Sequence, residues 1–123
     1  MLIQISAEAF SPYFVNKEWT QTLYKLIIDS FVFDNFYTLN FGQSTIGGEF
    51  ANLTGLLPLW FNGITSAIIT KNNYLPFTFP SMTHKMTKNK VAAYHNGRYV
   101  VYDRPELYKT WGFDEYIYQM IQD

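Results

Sequence analysis

Residues 91–123 read VAAYHNGRYVVYDRPELYKTWGFDEYIYQMIQD, and no other stretch of the chain has so clear a local pattern. Asn96-Gly97 lies among alternating and apolar residues, and this pair suits a two-residue type I′ turn because both residues tolerate positive φ. The pattern predicts an antiparallel β-hairpin over residues 91–102, with His95 opposite Arg98 at its tip. Both faces of the hairpin are largely apolar, so we expect it to lie centrally in a sheet or to be covered on both sides.

The residues after the hairpin predict a C-terminal helix. Asp103 suits the N-cap, Glu106 suits the reciprocal position of a capping box, and Pro105 is tolerated in the first turn, where its missing N–H needs no partner. Apolar residues then recur at mostly helical spacing. Gly112 interrupts this run. We expect it to end a short helix, with Asp114 as the N-cap of a second one, and a single bent helix is the alternative.

The N-terminal part of the chain predicts another helix, from Lys17 to about Phe33. Ser11-Pro12 is one candidate for its start, since serine caps helices and proline suits the first helical position, and Asn16 is a second candidate. The apolar residues form a broad stripe. We therefore expect this helix to be covered on more than one side.

The residues between these two helices predict strands and loops. Strands are expected over residues 35–41, 64–70 and 74–79, a glycine-rich loop over 42–50, and a polar surface loop over 80–90. Residues 50–63 fit either a short helix or a strand that enters a second hairpin at Asn62-Gly63. The fold class is then α+β: a single domain over residues 1–123, with an antiparallel hairpin-built sheet, an N-terminal helix and a C-terminal helix packed on the sheet. A sheet that curls toward a small barrel is the runner-up.

Composition limits the classes of function. The 123 residues contain no cysteine, which excludes disulfides, thiol catalysis and cysteine-ligated zinc. The first residues lack the basic and then apolar pattern of a secretory signal, and no apolar run reaches the roughly 18 residues that span a bilayer. We therefore expect an intracellular protein without membrane contact. The abundance of Asn, Lys, Tyr, Phe and Ile is typical of an AT-rich genome, which favours a phage or mobile-element origin.

Charge is distributed unevenly along the chain, although the formal net charge is only −1. From Phe50 to Tyr102 there is no Asp or Glu, and five basic residues give this basic segment a charge of +5. The rest of the chain holds ten acidic and four basic residues, a charge of −6. This asymmetry predicts a surface that binds a partner of opposite charge.

No motif predicts catalysis. The spacing from Gly42 to Gly47 matches a phosphate-binding loop, but Gly48-Glu49 replaces the Lys-Ser/Thr pair that would hold phosphate and magnesium. Three other sites can be drawn from residue types alone: a metal site of His84, His95 and Asp103, a Ser44 nucleophile, and an acid–base pair of Asp114 and Glu115. Isolated residue types without a defining spacing carry little information. We expect a protein with no catalytic residue, no metal and no cofactor.

The basic segment is the better candidate for a working surface. The candidate partner-binding residues are Lys71, His84, Lys85, Lys88, Lys90, His95 and Arg98, with Tyr94, Tyr99 and Tyr102 as aromatic contacts. They predict a small non-enzymatic protein-binding module, such as a phage accessory or inhibitory factor, that docks on an acidic partner through the lysine loop and the hairpin tip. One alternative is a self-assembling structural subunit, as in a virus particle, because a positive middle and negative ends can dock head to tail. The other is a nucleic-acid binder that uses residues 80–98.

Overall fold

A computed structural model of the chain describes residues 1–7, 9–37, 45–98 and 100–119. The chain divides into two compact units, Met1–Thr38 and Leu39–Asp123, which we name the N-terminal unit and the C-terminal unit. The single-domain interpretation of residues 1–123 stays a prediction.

The N-terminal unit contains a short 3-10 helix, Pro12–Phe14, and the helix α1, Gln21–Asp29. Ser11 caps the 3-10 helix, because its hydroxyl oxygen accepts the backbone N–H of Tyr13 at 3.4 Å. Asn16 organises the turn before α1, since its side-chain oxygen accepts two backbone N–H groups at 3.0 and 2.8 Å. Neither candidate start is the N-cap of α1, which begins after Thr20 and is shorter than the predicted helix from Lys17 to about Phe33. No described residue of this unit is buried.

The C-terminal unit alternates short helices and strands. Its helices are α2 (Thr45–Thr54), α3 (Ser66–Ile69), α4 (Phe79–Thr87) and α5 (Arg104–Thr110), and its strands are β1 (Trp60–Phe61), β2 (Ile64–Thr65), β3 (Ala92–His95) and β4 (Glu115–Tyr118). The mixture of helices with small sheets confirms the α+β class.

β1 and β2 form an antiparallel hairpin, in which Phe61 pairs with Ile64. The turn between them is Asn62-Gly63, with φ values of 50° and 78°. Positive φ at both central residues defines a type I′ turn, whose twist matches that of the paired strands. Of the two alternatives for residues 50–63, the strand that enters an Asn-Gly hairpin is the one observed at this turn, since the helix α2 already ends at Thr54.

β3 pairs with β4 in parallel, with Ala92 opposite Glu115 and His95 opposite Tyr118. The antiparallel hairpin predicted at Asn96-Gly97 is therefore wrong, because the chain after that turn does not run back along β3. Val101–Asp103 instead forms a 3-10 turn with a kink. Tyr99, the expected partner of Tyr94, lies outside the described residues.

Four further expectations are corrected. Residues 80–90 are not a loop, since α4 occupies most of them. Thr78 caps α4 by accepting the N–H of Ser81 at 3.3 Å, and Pro80 lies in its first turn, so the strand expected over 74–79 is absent as well. The strand expected over 64–70 stops at Thr65, whose hydroxyl oxygen accepts the N–H of Ile68 and caps α3. The second C-terminal helix is the strand β4, which is rich in the aromatic and β-branched residues that favour strands.

The core of the C-terminal unit lies where α5 meets α2, α3 and β3. Trp111, at the end of α5, is fully buried, and its ring lies 6.1 Å from that of Phe50 and 5.5 Å from that of Tyr108. The buried apolar residues are Ile46, Phe50, Ala67, Leu75, Ala93, Leu107, Tyr108 and Trp111. Gly112 ends α5 at a φ of 91°, as expected, and lies directly against the backbone of Ser81 in α4.

Candidate functional site

A buried ion pair joins α2 to α5. Arg104, at 2% exposure, donates to both carboxylate oxygens of Glu49, with Nη2 2.7 Å from Oε1 and Nε 3.2 Å from Oε2. The hydroxyl of Tyr108 donates to Oε2 of Glu49 at 3.0 Å. Each carboxylate oxygen is therefore engaged, so the group acts as a cross-link inside the C-terminal unit rather than as a reagent.

The electrostatics of this cluster follow from its burial. Burial by itself lowers the pKa of Arg104, but the hydrogen bonds and the charge of Glu49 outweigh it and hold that pKa above its ordinary value. Burial and then the neighbouring carboxylate raise the pKa of Tyr108. Arg104 and Tyr108 thus both keep their protons near neutral pH. Glu49 belongs to this cluster, and Gly47-Gly48 lies within α2, so the described part of the candidate phosphate loop is helical.

Asp103 occupies the N-cap position of α5, as the sequence predicts, but without the expected side-chain cap. Its backbone is left-handed, with φ 58°, and its side chain makes no capping hydrogen bond. The carboxylate accepts instead from Nζ of Lys71 at 2.6 Å. This bond, and then the negative charge of Asp103, raise the pKa of Lys71. The pair connects residues that are 32 positions apart, so one candidate partner-binding lysine is held by an acid of the same chain.

His84 and Lys90 are held in the same way by the two acids around the start of β4. Nδ1 of His84 lies 2.9 Å from Oδ2 of Asp114, and Nζ of Lys90 lies 2.5 Å from Oε1 of Glu115. The backbone N–H of Val91 also donates to Asp114 at 2.8 Å. That backbone bond, and then His84, keep the pKa of Asp114 below its ordinary value. The two carboxylates thus have separate partners and do not form an acid–base pair.

The two histidines are not brought together. The ring of His95 stacks on Tyr116 at 6.5 Å, and its Nδ1 accepts the backbone N–H of Gly97 at 3.2 Å. His84 pairs with Asp114, and Asp103 pairs with Lys71. Within the described ranges, no group of three His, Cys, Asp or Glu side chains is arranged to hold a metal ion. The candidate nucleophile Ser44 lies outside the described residues.

The pairs described above neutralise part of the basic segment. Lys85, Lys88 and Arg98 are the candidate cations that have no ion pair with any described residue, and all three are exposed. Among the candidate aromatic contacts, Tyr94 is 74% exposed, while the ring of Tyr102 lies under the guanidinium of Arg104 at 5.2 Å. The free positive charge is thus concentrated at the C-terminal end of α4 and near Asn96-Gly97.

α4 has an apolar stripe that faces away from the rest of the C-terminal unit. On its inner side, Pro80 is buried, Ser81 packs against Gly112, and His84 is hydrogen-bonded to Asp114. Phe79, Met82 and Met86 follow one another at helical spacing on the opposite side and are 43%, 43% and 78% exposed. Lys85 flanks this stripe, and Lys88 lies just after the last turn. We name these five residues the α4 surface.

Sequence reasoning missed both the buried cluster and the apolar part of the α4 surface. Glu49 and Arg104 are 55 positions apart, and nothing local links them. The helical state of α4 has a signal, however: Thr78-Phe79-Pro80 is a capping residue followed by proline in the first turn. Reading that signal would have placed Phe79, Met82 and Met86 on one face.

Comparison of the chain with known proteins found no match. Protein-family models, curated proteins and solved structures were each compared. Of the helices in the described ranges, none has the length and apolar character needed to cross a bilayer.

Proposed function

We propose that this chain is a small non-enzymatic protein-binding module that docks an acidic partner on the α4 surface. The observation that carries the proposal is the exposed stripe of Phe79, Met82 and Met86 beside two lysines that no described acid neutralises. Exposed apolar groups with a charged rim are typical of protein interfaces. The accessory or inhibitory role in a phage or mobile element belongs to the same proposal.

The chemistry of α4 favours an acidic partner with apolar anchors. Methionine side chains are flexible and polarisable, and they are common on surfaces that accept helices or peptides of varied shape. Lys85 and Lys88 would pair with carboxylates at the edge of such a segment, while Met82 and Met86 would cover its apolar face.

Affinity capture tests this proposal. Three tagged baits are used in cells that produce the protein: the full chain, the variant Lys85→Glu/Lys88→Glu and the control variant Lys17→Glu/Lys109→Glu. Mass spectrometry identifies the captured partners. The control carries the same change in charge at exposed lysines outside the α4 surface. We expect a partner that the unmodified chain and the control retain and that the α4 variant loses.

A titration with the purified partner gives the magnitude. We expect the Lys85→Glu/Lys88→Glu change to raise Kd at least about tenfold, which corresponds to ~1.4 kcal/mol. Binding of the unmodified chain should weaken as salt is added, because rim charges are screened. Met82→Ser/Met86→Ser should weaken binding without changing its salt dependence. Equal binding by the unmodified chain and both charge variants would remove the α4 surface from the proposal.

Nucleic-acid binding remains a second candidate because Tyr94 is exposed and Lys85, Lys88 and Arg98 carry free positive charge. It is the weaker proposal, since Lys71, His84 and Lys90 are held by acids. A salt series with single-stranded and duplex nucleic acid tests it. Affinity that is absent at low salt, or that does not fall as salt rises, excludes this reading.

A further inference from the structure

The N-terminal unit exposes nearly all of its large apolar side chains. Of those in the described part of this unit, only Val15 and Tyr24 are half-buried, and none is buried. The exposed ones are Met1, Leu2, Ile3, Ile5, Phe10, Tyr13, Phe14, Trp19, Leu23, Leu26, Ile27, Ile28, Phe31, Val32, Phe33, Phe36 and Tyr37. Monomeric proteins rarely leave large contiguous apolar patches in water, and such patches mark interaction sites.

α1 distributes these residues over an unusually wide arc. At 3.6 residues per turn, the apolar positions from Leu26 round to Ile28 cover about 200° of the helix. The polar residues Gln21, Thr22, Lys25 and Asp29 share the remaining arc. A helix that contacts a single neighbour needs a stripe of roughly 100°, so α1 is suited to contact two neighbours at once.

The exposed area is sufficient for a stable interface. Seven side chains on α1 and directly after it are Leu23, Leu26, Ile27, Ile28, Phe31, Val32 and Phe33. If a large apolar side chain has a full surface of roughly 200 Å², their exposed fractions correspond to on the order of 800 Å². A standard protein interface buries about 800 Å² per partner, so the total equals one such interface, which two neighbours would share.

The charges of α1 favour a copy of the same chain as the occupant. Lys25 and Asp29 are its charged residues, they lie four positions apart in the polar arc, and the apolar arc carries no charge. Copies can therefore approach through the apolar arc without repulsion, and the arc has no charge that would select a charged partner. The polar arc stays in water, as on the outer side of a helix bundle.

We propose that the N-terminal unit self-associates, with the α1 helices of at least three copies packed side by side through the apolar arc. Each helix then contacts two neighbours, which covers an arc that a single partner helix would leave half exposed. This inference goes beyond acidic-partner docking, because it uses none of the residues of the α4 surface. It gives self-assembly a specific contact that differs from head-to-tail charge pairing.

Light scattering coupled to size-exclusion chromatography tests the proposal on the full chain over a wide range of concentration. We expect a molar mass of at least three chains of 14.4 kDa each. Ile27→Glu, in the apolar arc, should give a monomer, while Thr22→Glu, in the polar arc, should leave the oligomer intact. Lys85→Glu/Lys88→Glu should also leave it intact, so the two proposals fail independently.

Cysteine cross-linking supplies a readout that does not depend on disrupting the interface. The chain has no cysteine, so Ile27→Cys and Lys25→Cys each introduce a single thiol. Under oxidation we expect disulfide-linked dimers from Ile27→Cys and none from Lys25→Cys, because the bond needs Cα atoms within about 7 Å. A monomer at every concentration, a dimer as the largest species, or an oligomer that Ile27→Glu leaves unchanged would each overturn the proposal.

Discussion

Replacing Glu49 by glutamine removes the charge that neutralises a buried arginine while keeping the shape of the side chain. Arg104 is 2% exposed. Its Nε and Nη2 atoms both donate to the carboxylate of Glu49. Breaking a buried pair by removing one partner typically costs about 3–5 kcal/mol, because the remaining charge stays out of water. Single-domain proteins are stable by only about 5–15 kcal/mol. We therefore expect Glu49→Gln to lose a large share of the free energy of unfolding.

Two further variants separate charge from hydrogen bonding. Tyr108→Phe removes one hydrogen bond to a charged acceptor and should cost about 1.5–3 kcal/mol, less than Glu49→Gln. Glu49→Leu/Arg104→Met removes both charges, and apolar replacement of a whole buried pair is often close to neutral. The double variant should thus be more stable than Glu49→Gln, which makes the two substitutions strongly non-additive.

Urea unfolding followed by circular dichroism gives the free energies of unfolding of these proteins and of the two single variants Glu49→Leu and Arg104→Met. The slope of the free energy of unfolding against urea concentration should be the same in all variants, so that a shifted midpoint reports a change in stability. A loss below ~1 kcal/mol in Glu49→Gln would contradict the buried-charge argument. So would a double variant whose loss equals the sum of its two single changes, since the two charges would then act independently.

Two other predictions concern the contact between α4 and α5 and the acid at its edge. Gly112→Ala should lower the free energy of unfolding by about 2–4 kcal/mol, because the residue has a φ of 91° and a new Cβ would lie 2.9 Å from the backbone nitrogen of Ser81. Gly48→Ala is the matched control, because a new Cβ at this position in the interior of α2 meets nothing within 4 Å. We expect it to raise the free energy of unfolding by about 0.5–1 kcal/mol. Urea unfolding that shows the same sign of change for both variants would contradict the contact between Gly112 and Ser81. Asp114 has a pKa below its ordinary value, so its contribution to stability is complete above the unfolded-state pKa of about 3.9 and is lost as the pH falls through the lower pKa of the folded state. Asp114→Asn should therefore be less stable than the unmodified chain at pH 7, with a difference that shrinks in strong acid; a difference that does not depend on pH would show that its charge is not involved.

The two Asn-Gly pairs show which part of the fold a sequence can determine. Asn62-Gly63 forms the type I′ hairpin that its composition predicts, because the strands on both sides are short and meet each other directly. Asn96-Gly97 has the same local preference, but β3 pairs with β4 instead. Local preference specified the turn in the first case, and a contact more than 20 positions away decided the second.

The candidate site divides along the same line. Thr78 and Pro80 are local signals, so α4 and its exposed stripe could have been predicted. The charge asymmetry is also a real property of the sequence. The sequence could not show which basic residues stay unpaired, because Lys71 and Lys90 are neutralised by Asp103 and Glu115, each more than 20 positions away. Acids that follow Tyr102 pair with part of the basic segment. Among the described candidate residues, Lys85, Lys88 and Arg98 remain exposed cations without an ion pair.

The parallel pairing of β3 with β4 also imposes an order on synthesis. β3 leaves the ribosome before its partner, since Ala92 pairs with Glu115 and all of α5 lies between them. At about 5–20 residues per second, the hydrogen-bonding edge of β3 waits roughly 1–5 s for β4. The α5 crossover therefore delays the pairing of β3 until β4 has been made.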